Sequence, residues 1–172
     1  MAGVLFDLKS HARKFHRKIS LGDASAIVRI RRLDEFRDAP ADQVAASVKR
    51  RHCLAVIARE LGFQGWPHAV AVLDGTDAGD FGTLLYPDDA RGHTNIWSAS
   101  YDEAKAIHQQ RGGYLLPYKQ QFFIADRHFI KTLGLQPDDP DWDAIDHDWV
   151  RPRQVEARER LYRKLIERKM AA

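Results

Sequence analysis

Apolar residues near the start of the chain recur every three or four positions, which is the spacing of one face of an α-helix. The residues with this spacing are Leu5, Leu8, Ala12, Phe15 and Ile19. Lysine and arginine occupy many of the intervening positions. The pattern predicts an amphipathic helix that ends near residues 21–22 and carries a basic outer face.

Two further helices are predicted before residue 62. Asp23 is a suitable N-cap for a short helix through Leu33, although residues 27–30 also fit a strand. Asp42 precedes a longer apolar pattern that reaches Leu61. This pattern predicts one continuous helix.

A helical hairpin is predicted around a tight turn at residues 62–66. Gly62 follows the last apolar position of one helix, and Pro67 stands at the start of the next. The spacing also fits a DNA-binding helix-turn-helix. However, the second helix offers mainly apolar side chains, whereas a recognition helix presents arginine, lysine, asparagine or glutamine to base edges. A structural hairpin is the favoured interpretation.

The hairpin contains the pattern A-x-x-L-G-F-x-x-W-P. Its members are Ala58, Leu61, Gly62, Phe63, Trp66 and Pro67. This pattern resembles a small helical module found beside glyoxalase-superfamily-like and ankyrin-repeat proteins in bacteria. The resemblance covers about residues 54–73 and implies a structural role without catalytic residues. The remainder, especially residues 94–152, looks like a bacterial protein.

The apolar period changes after residue 80 to that of β-strands. The segments predicted as strands are 81–86, 94–98, 114–118 and 121–125. Pro117 cannot donate a backbone hydrogen bond, so its strand is expected at an edge of the sheet. Lys119 and Gln120 then form the turn of a hairpin with the following strand.

Helices are also predicted between and after these strands. Ser100 and Glu103 form a capping box for one helix. Asp126 is a suitable N-cap for a short one. A final amphipathic helix has Val155, Leu161, Tyr162, Leu165 and Ile166 on one side. It is expected to dock on the acidic part of the chain.

The predicted fold class is therefore α+β, with two domains. Residues 1–75 form a helical unit with basic faces. Residues 81–172 form a small three- or four-stranded α+β unit with the C-terminal amphipathic helix. A Gly- and Asp-rich segment, residues 76–80, is predicted to link them.

Composition favours a cytoplasmic protein. The chain has 172 residues, and no apolar run approaches the roughly 20 residues of a membrane span. The first residues lack the basic and apolar segments of a signal peptide. The single cysteine, Cys53, excludes an internal disulfide and is expected to be a small buried side chain. No membrane partner is expected.

Charge is distributed unevenly along the chain. Residues 1–75 contain 13 Lys and Arg against 8 Asp and Glu, a net charge of +5. Residues 76–150 contain 6 against 13, a net charge of −7, and residues 151–172 contain 8 against 3, a net charge of +5. The basic ends either attract the acidic middle within the fold or face an anionic partner.

The second possibility gives the main functional hypothesis, a non-catalytic binding or adaptor protein. Its basic helix faces would bind an anionic partner, with nucleic acid preferred and an acidic protein as the alternative. The candidate nucleic-acid-binding residues are Arg13, Lys14, Arg17, Lys18, Arg29, Arg31, Arg32, Lys49, Arg50 and Arg51. The structural alternative is that these residues form only the solvated outer face of a packed helix.

Catalytic chemistry has weaker support, because no catalytic motif, phosphate-binding glycine loop or dinucleotide fingerprint is present. A small enzyme with a pocket between the two units is the alternative function. It would use His93, His128, Asp126 and Tyr118. No cofactor is expected.

A metal site is also not expected, although three aspartates are spaced like the first ligands of a calcium-binding EF-hand. Asp139, Asp141 and Asp143 have this spacing, but Ala144 stands where glycine makes the turn, and Val150 stands where a bidentate glutamate is needed. Turn and helix-cap chemistry explains these aspartates equally well.

Aromatic residues of two predicted strands have two interpretations. They are Tyr114, Tyr118, Phe122 and Phe123. They fit a stacking platform for bases, but alternation along a strand places half of them toward the core, which is the favoured role. The aromatic middle could also form a protein–protein or homo-oligomer interface.

Overall fold

The computed structural model describes residues 3–76, 79–90 and 92–171. Within these ranges the chain forms nine α-helices and three β-strands. Its contacts divide it into two compact units, and the division falls between Ala71 and Val72. The strands belong to the second unit, so the predicted α+β class is confirmed. The predicted domain limits stay a prediction, and positions 77 and 78 of the predicted linker lie outside the described residues.

The first unit is helical. Its elements are α1 (Val4–Ser20), α2 (Ala24–Ile30), α3 (Ala41–Ser47), α4 (Arg50–Glu60) and the first part of α5 (Trp66–Leu73). The amphipathic first helix is confirmed, and it packs against α2, α3 and α4. Asp23 caps α2 as predicted, because its carboxylate accepts from the backbone N–H of Ala26 at 2.9 Å.

The predicted continuous helix from Asp42 to Leu61 is wrong. Val48 has an extended conformation, with φ −61° and ψ 135°, and separates α3 from α4. The helix restarts at a cap, where Nδ1 of His52 accepts from the backbone N–H of Lys49 at 3.1 Å. Apolar positions keep helical spacing within α3 and within α4, but the six-residue step from Val48 to Leu54 does not, and the predicted helix was continued across it.

The predicted helical hairpin is confirmed between α4 and α5. Gly62 has a φ of 88°, the left-handed conformation that commonly ends a helix. The backbone N–H of Phe63 then donates to the carbonyl oxygen of Ala58 at 2.9 Å, and Phe63 itself is buried. Pro67 lies in the first turn of α5, where its missing N–H costs no helical hydrogen bond.

The second unit contains an antiparallel sheet. Its strands are β1 (Ile96–Ser98), β2 (Tyr114–Tyr118) and β3 (Gln121–Ala125), in the order β1-β3-β2. Pro117 therefore lies in an edge strand, as predicted. Lys119 forms the hairpin turn with a φ of 51°.

Helices surround this sheet. They are α6 (Tyr101–Arg111), α7 (Arg127–Thr132), α8 (Pro140–Ala144) and α9 (Val155–Ala171). The hydroxyl of Ser100 accepts from the backbone N–H of Glu103, but the Glu103 carboxylate binds the Ser98 hydroxyl instead of closing the predicted capping box. Asp126 caps α7 as predicted, accepting from Phe129 at 2.8 Å.

The strand predicted over residues 81–86 is wrong. Gly82 has a φ of 69°, and a turn follows in which the backbone N–H of Tyr86 donates to the carbonyl oxygen of Thr83 at 3.0 Å. Leu84 and Leu85 are still buried. A short apolar run indicated burial correctly, but it could not distinguish a strand from buried turns.

Side chains from both faces of the sheet are buried. Leu115 and Ile124 pack against Ala104 of α6. On the opposite face, Phe123 contacts the rings of Trp97, Phe129, which lies in α7, and Tyr86. Tyr114 and Phe123 are at most 3% exposed, so the favoured core role of the strand aromatics is confirmed for these two.

The C-terminal helix docks on the acidic segment, as predicted. Arg160 donates two hydrogen bonds to Oδ1 of Asp141, at 2.9 and 2.6 Å, and Lys164 contacts Asp139 at 2.6 Å and Asp141 at 2.8 Å. Val155 does not join the buried face of α9 and is 55% exposed. The aspartates that mimic calcium ligands are therefore cap and ion-pair residues.

Candidate nucleic-acid interface

Helix α1 has one buried face and one basic face. The buried residues are Val4, Leu8, Ala12, Phe15 and Ile19, each at most 5% exposed. Val4, rather than the predicted Leu5, begins this face. The cationic residues on the rest of the helix are Lys9, Arg13, Lys14, Arg17 and Lys18, and all five are exposed. The fold therefore holds α1 by its apolar side and leaves its cations in solvent.

Only Lys18 among these five cations acts on a carboxylate in the described residues: its charge adds to the hydrogen bonds from Ser25 and Ala26 that lower the pKa of Asp23. Among the described residues, none of them forms an ion pair, and the only acidic residue of α1 is Asp7. Arg17 and Lys18 lie in the last turn, where positive charge also stabilises the helix dipole. That contribution does not explain Lys9, Arg13 and Lys14, which lie further from the C-terminus.

Three predicted binding residues of α2 and the following turn have partners within the unit. Arg29 and Arg32 both contact the carboxylate of Glu60, at 2.6 and 3.0 Å. Arg29 also stacks on the ring of Phe15, with 4.3 Å between the guanidinium carbon and the ring centre. Arg31 donates to the carbonyl oxygen of Ala39 at 2.8 Å. Their binding of nucleic acid stays a prediction, and their internal contacts give each of them a structural role.

The third predicted group lies at the start of α4. Lys49, Arg50 and Arg51 are all exposed. Nε2 of His16, on α1, donates to the carbonyl oxygen of Val48 at 3.0 Å. This hydrogen bond holds the start of α4 beside α1, so the two groups of cations belong to neighbouring surfaces.

The residues proposed for catalysis do not form one site. Tyr118 ends β2 at the hairpin turn, whereas Asp126 follows the far end of β3. Five-residue strands separate those positions by more than about 13 Å. His93 contacts the hydroxyl of Thr132 at 2.9 Å, and His128 is exposed. No single substrate atom could lie near all four side chains.

A cleft of about 850 Å³ opens on the α+β unit near the start of β2. Asp126 lines it, together with His108, Asp146 and His147, which sequence reasoning did not assign to catalysis. Asp146 and His147 have positive φ values of 57° and 51°, a conformation that is uncommon outside glycine. Burial lowers the pKa of His108, so its ring is neutral near pH 7. The pocket predicted between the two units stays a prediction.

The single cysteine has a structural environment. Cys53 is fully buried, and burial raises the pKa of its thiol to about 11, so it is not a nucleophile near neutral pH.

In the part of the chain that the structure describes, no three histidine, cysteine or acidic side chains are grouped as metal ligands. None of the helices in the described ranges has the length and apolar composition needed to cross a bilayer.

No protein-family model, curated protein or solved structure matches this chain. The resemblance of residues 54–73 to the small helical module therefore stays a prediction.

Proposed function

We propose that this chain is a non-catalytic protein that binds nucleic acid through the basic face of α1 and the start of α4. Phosphates along a nucleic-acid strand carry regularly spaced negative charge, and a row of lysines and arginines displaces the counterions around them. The proposal includes a cytoplasmic location, where such a partner is present.

The contrast between the two basic helices carries this proposal. On α9, Arg160 and Lys164 form ion pairs with aspartates of the same unit. On α1, none of the five cations forms an ion pair within the described residues, and only Lys18 has a carboxylate nearby, that of Asp23. Cations that are paired with aspartates inside their own unit need no external anion, whereas the unpaired face of α1 can accept one.

Helix stability does not account for the cations at the start of α4. The N-terminus of a helix is its positive end, and a cation there is unfavourable by a few tenths of a kcal/mol or more. Lys49, Arg50 and Arg51 nevertheless occupy this position. The dipole of α4 adds to their positive potential, which favours an anionic partner at this surface.

Fluorescence anisotropy with labelled 15-nucleotide strands and a 15-base-pair duplex tests the proposal. If the five cations of α1 each meet one phosphate, raising salt from 50 to 200 mM weakens single-strand binding about 100-fold. The variant Arg13→Glu/Arg17→Glu should bind far more weakly and show a smaller dependence on salt. Both side chains are exposed, so circular dichroism should show an unchanged fold.

A charge-matched control separates a local interface from net charge. Lys131→Glu/Arg153→Glu makes the same change in charge on exposed residues of the other unit. This control should retain most of the affinity. The proposal fails if the wild-type protein binds no strand at 50 mM salt, or if the two variants lose equal affinity. If polyglutamate displaces the labelled strand and unlabelled nucleic acid does not, the partner is an acidic protein.

Association through strand β1 is a second candidate function. This edge strand exposes Ile96 and Trp97, at 37% and 39%. An exposed apolar edge favours pairing with another chain. Light scattering should then show a dimer that Trp97→Ala dissociates. A monomer at all protein concentrations would exclude self-association.

A further inference from the structure

The basic face of α1 also carries an exposed aromatic ring. Phe6 is 54% exposed. Ser10, Arg13 and Arg17 follow it by four, seven and eleven residues, and these offsets bring side chains to one side of a helix. Phe6 therefore begins the stripe that continues with the two arginines, directly opposite the buried face.

A lone exposed apolar side chain is ordinary in a folded protein. The position of Phe6 is informative because it lies in line with unpaired cations. Successive residues of a helix rise by 1.5 Å, so the ring and Arg17 are about 16 Å apart along the axis. Stacked nucleotides are about 3.4 Å apart, so about five of them fit along this length.

We infer that α1 selects single-stranded over double-stranded nucleic acid, with Phe6 stacking on an unpaired base while Arg13 and Arg17 hold the phosphates. The inference rests on the proposed nucleic-acid function and adds the class of strand. Aromatic side chains beside a basic groove bind single strands because every unpaired base offers a flat face. The bases of an intact duplex already stack on each other, so they leave no such face for the ring.

A lipid surface is the main competing partner for a basic amphipathic helix with an exposed aromatic residue. Such a helix binds membranes by inserting its apolar face among the lipids. The apolar face of α1 is unavailable for this, because Leu8, Ala12 and Ile19 are fully buried in the helical unit. The exposed apolar residues of α1 and its cap, Phe6 and Leu21, lie at opposite ends of the helix with cations between them, and two separate side chains make a small anchor. Nucleic acid fits this combination better than a bilayer does.

Substitutions at Phe6 in the full chain test the inference. The probes are labelled dT15, rU15 and a 15-base-pair duplex at 50 mM salt, with dT15 and rU15 separating DNA from RNA. Loss of one stacked base weakens binding about 10-fold. Phe6→Ala should therefore bind the single strands about 10-fold more weakly and the duplex unchanged. Phe6→Leu should behave in the same way, because leucine keeps the apolar contact but has no aromatic face, whereas Phe6→Trp should retain binding.

Val28→Ala is the matched control, since Val28 is an exposed apolar residue of α2 at 63%. Val28→Ala should change neither the affinity for the single strands nor the affinity for the duplex. The inference is overturned if Phe6→Ala weakens the duplex as much as the single strands, or weakens neither. It is also overturned if Phe6→Leu binds as the wild type does, or if anionic vesicles bind the protein more tightly than dT15 and lose binding in Phe6→Ala. If Arg13→Glu/Arg17→Glu still weakens binding of the nucleic acids in those cases, the proposed function stands. Absence of wild-type binding to all three nucleic acids would remove both.

Discussion

Arg29 donates a hydrogen bond to each oxygen of the Glu60 carboxylate, from Nε at 3.0 Å and from Nη2 at 2.6 Å. This two-point contact joins α2 to the end of α4, across 31 positions of sequence. The same carboxylate also accepts from Arg32 at 3.0 Å. One glutamate thus engages two arginines that the sequence assigned to an external partner.

Removing this contact should change stability more than binding. We expect Arg29→Ala to lower the free energy of unfolding by about 0.5–1 kcal/mol, because the ion pair is partly solvated and the guanidinium also covers Phe15. Urea unfolding measures the stability, and anisotropy with dT15 measures the binding. Arg17→Ala is the control, and it should show the opposite pattern. A large loss of affinity in Arg29→Ala with unchanged stability would contradict the structural role.

Asp141 anchors the C-terminal helix to α8. Burial opposes its ionisation, but hydrogen bonds from Arg160 and Lys164 outweigh this effect and lower the pKa of the carboxyl. We expect Asp141→Asn to lower the free energy of unfolding by about 1–3 kcal/mol at pH 7. The substitution replaces a buried carboxylate, so Arg160 and Lys164 lose a charged acceptor. The exposed Asp143, on the same helix, gives a matched control in Asp143→Asn.

The pH dependence of this loss has a defined direction. Because the folded pKa of Asp141 is below its unfolded value of about 3.9, the carboxylate stabilises the fold above that pH. The contribution disappears as the pH falls through the folded pKa. The difference between the wild-type protein and Asp141→Asn, followed by urea unfolding, should therefore shrink below about pH 4. A difference that grows in acid would contradict the ion-pair assignment.

His52 should make the first unit less stable in mild acid. Burial lowers its pKa, and the nearby Glu35 carboxylate only partly opposes this. Because the unfolded chain binds a proton more readily, the free energy of unfolding falls as the pH drops through about 6.5 and levels off below the folded pKa. Protonation would also remove the acceptor of the Lys49 backbone N–H.

Nuclear magnetic resonance titration of the His52 ring measures this directly. The apparent pKa should lie below 6.5, and Glu35→Gln should lower it further because a neighbouring negative charge is removed. A value above 6.5 in the wild-type protein, or a rise in Glu35→Gln, would show that the ring is not held neutral as the structure indicates.

The hydroxyl of Tyr101 should stabilise the second unit. It donates to Oδ2 of Asp148 at 2.7 Å, and this carboxylate is 1% exposed. Tyr101→Phe leaves the buried acceptor short of one donor, so we expect a loss of about 1–3 kcal/mol in urea unfolding. Tyr118→Phe removes a hydroxyl that has no hydrogen bond within the described residues, and it should cost less than about 0.5 kcal/mol. Equal losses in the two variants would contradict the assignment.

Local chemistry was predicted well because its causes lie close together in sequence. The caps at Asp23 and Asp126 form between residues three positions apart, and the stop at Gly62 depends on one backbone conformation. The edge position of Pro117 followed from its missing N–H group. In the candidate site, the same short-range periodicity identified the outer face of α1 and its cations.

Two elements were wrong because the contacts of their backbone groups do not follow from apolar spacing. The break at Val48 depends on a histidine cap and on a hydrogen bond from His16, which is 32 positions away. Residues 81–86 contain enough apolar side chains for a strand, but Gly82 turns the backbone, and its carbonyl oxygen accepts from Lys119 at 2.9 Å. Periodicity reports which side chains are buried, and it does not report which backbone groups meet.

The sequence by itself determined the α+β class, the amphipathic helices at both ends and the uneven distribution of charge. Only the tertiary structure decided which cations are neutralised. Arg29 and Arg160 meet carboxylates 31 and 19 positions away, whereas Arg13 and Arg17 meet none within the described residues. An arginine has the same charge in the sequence in either case. Whether that charge is available depends on Coulomb interactions over a few ångströms, and folding sets those distances.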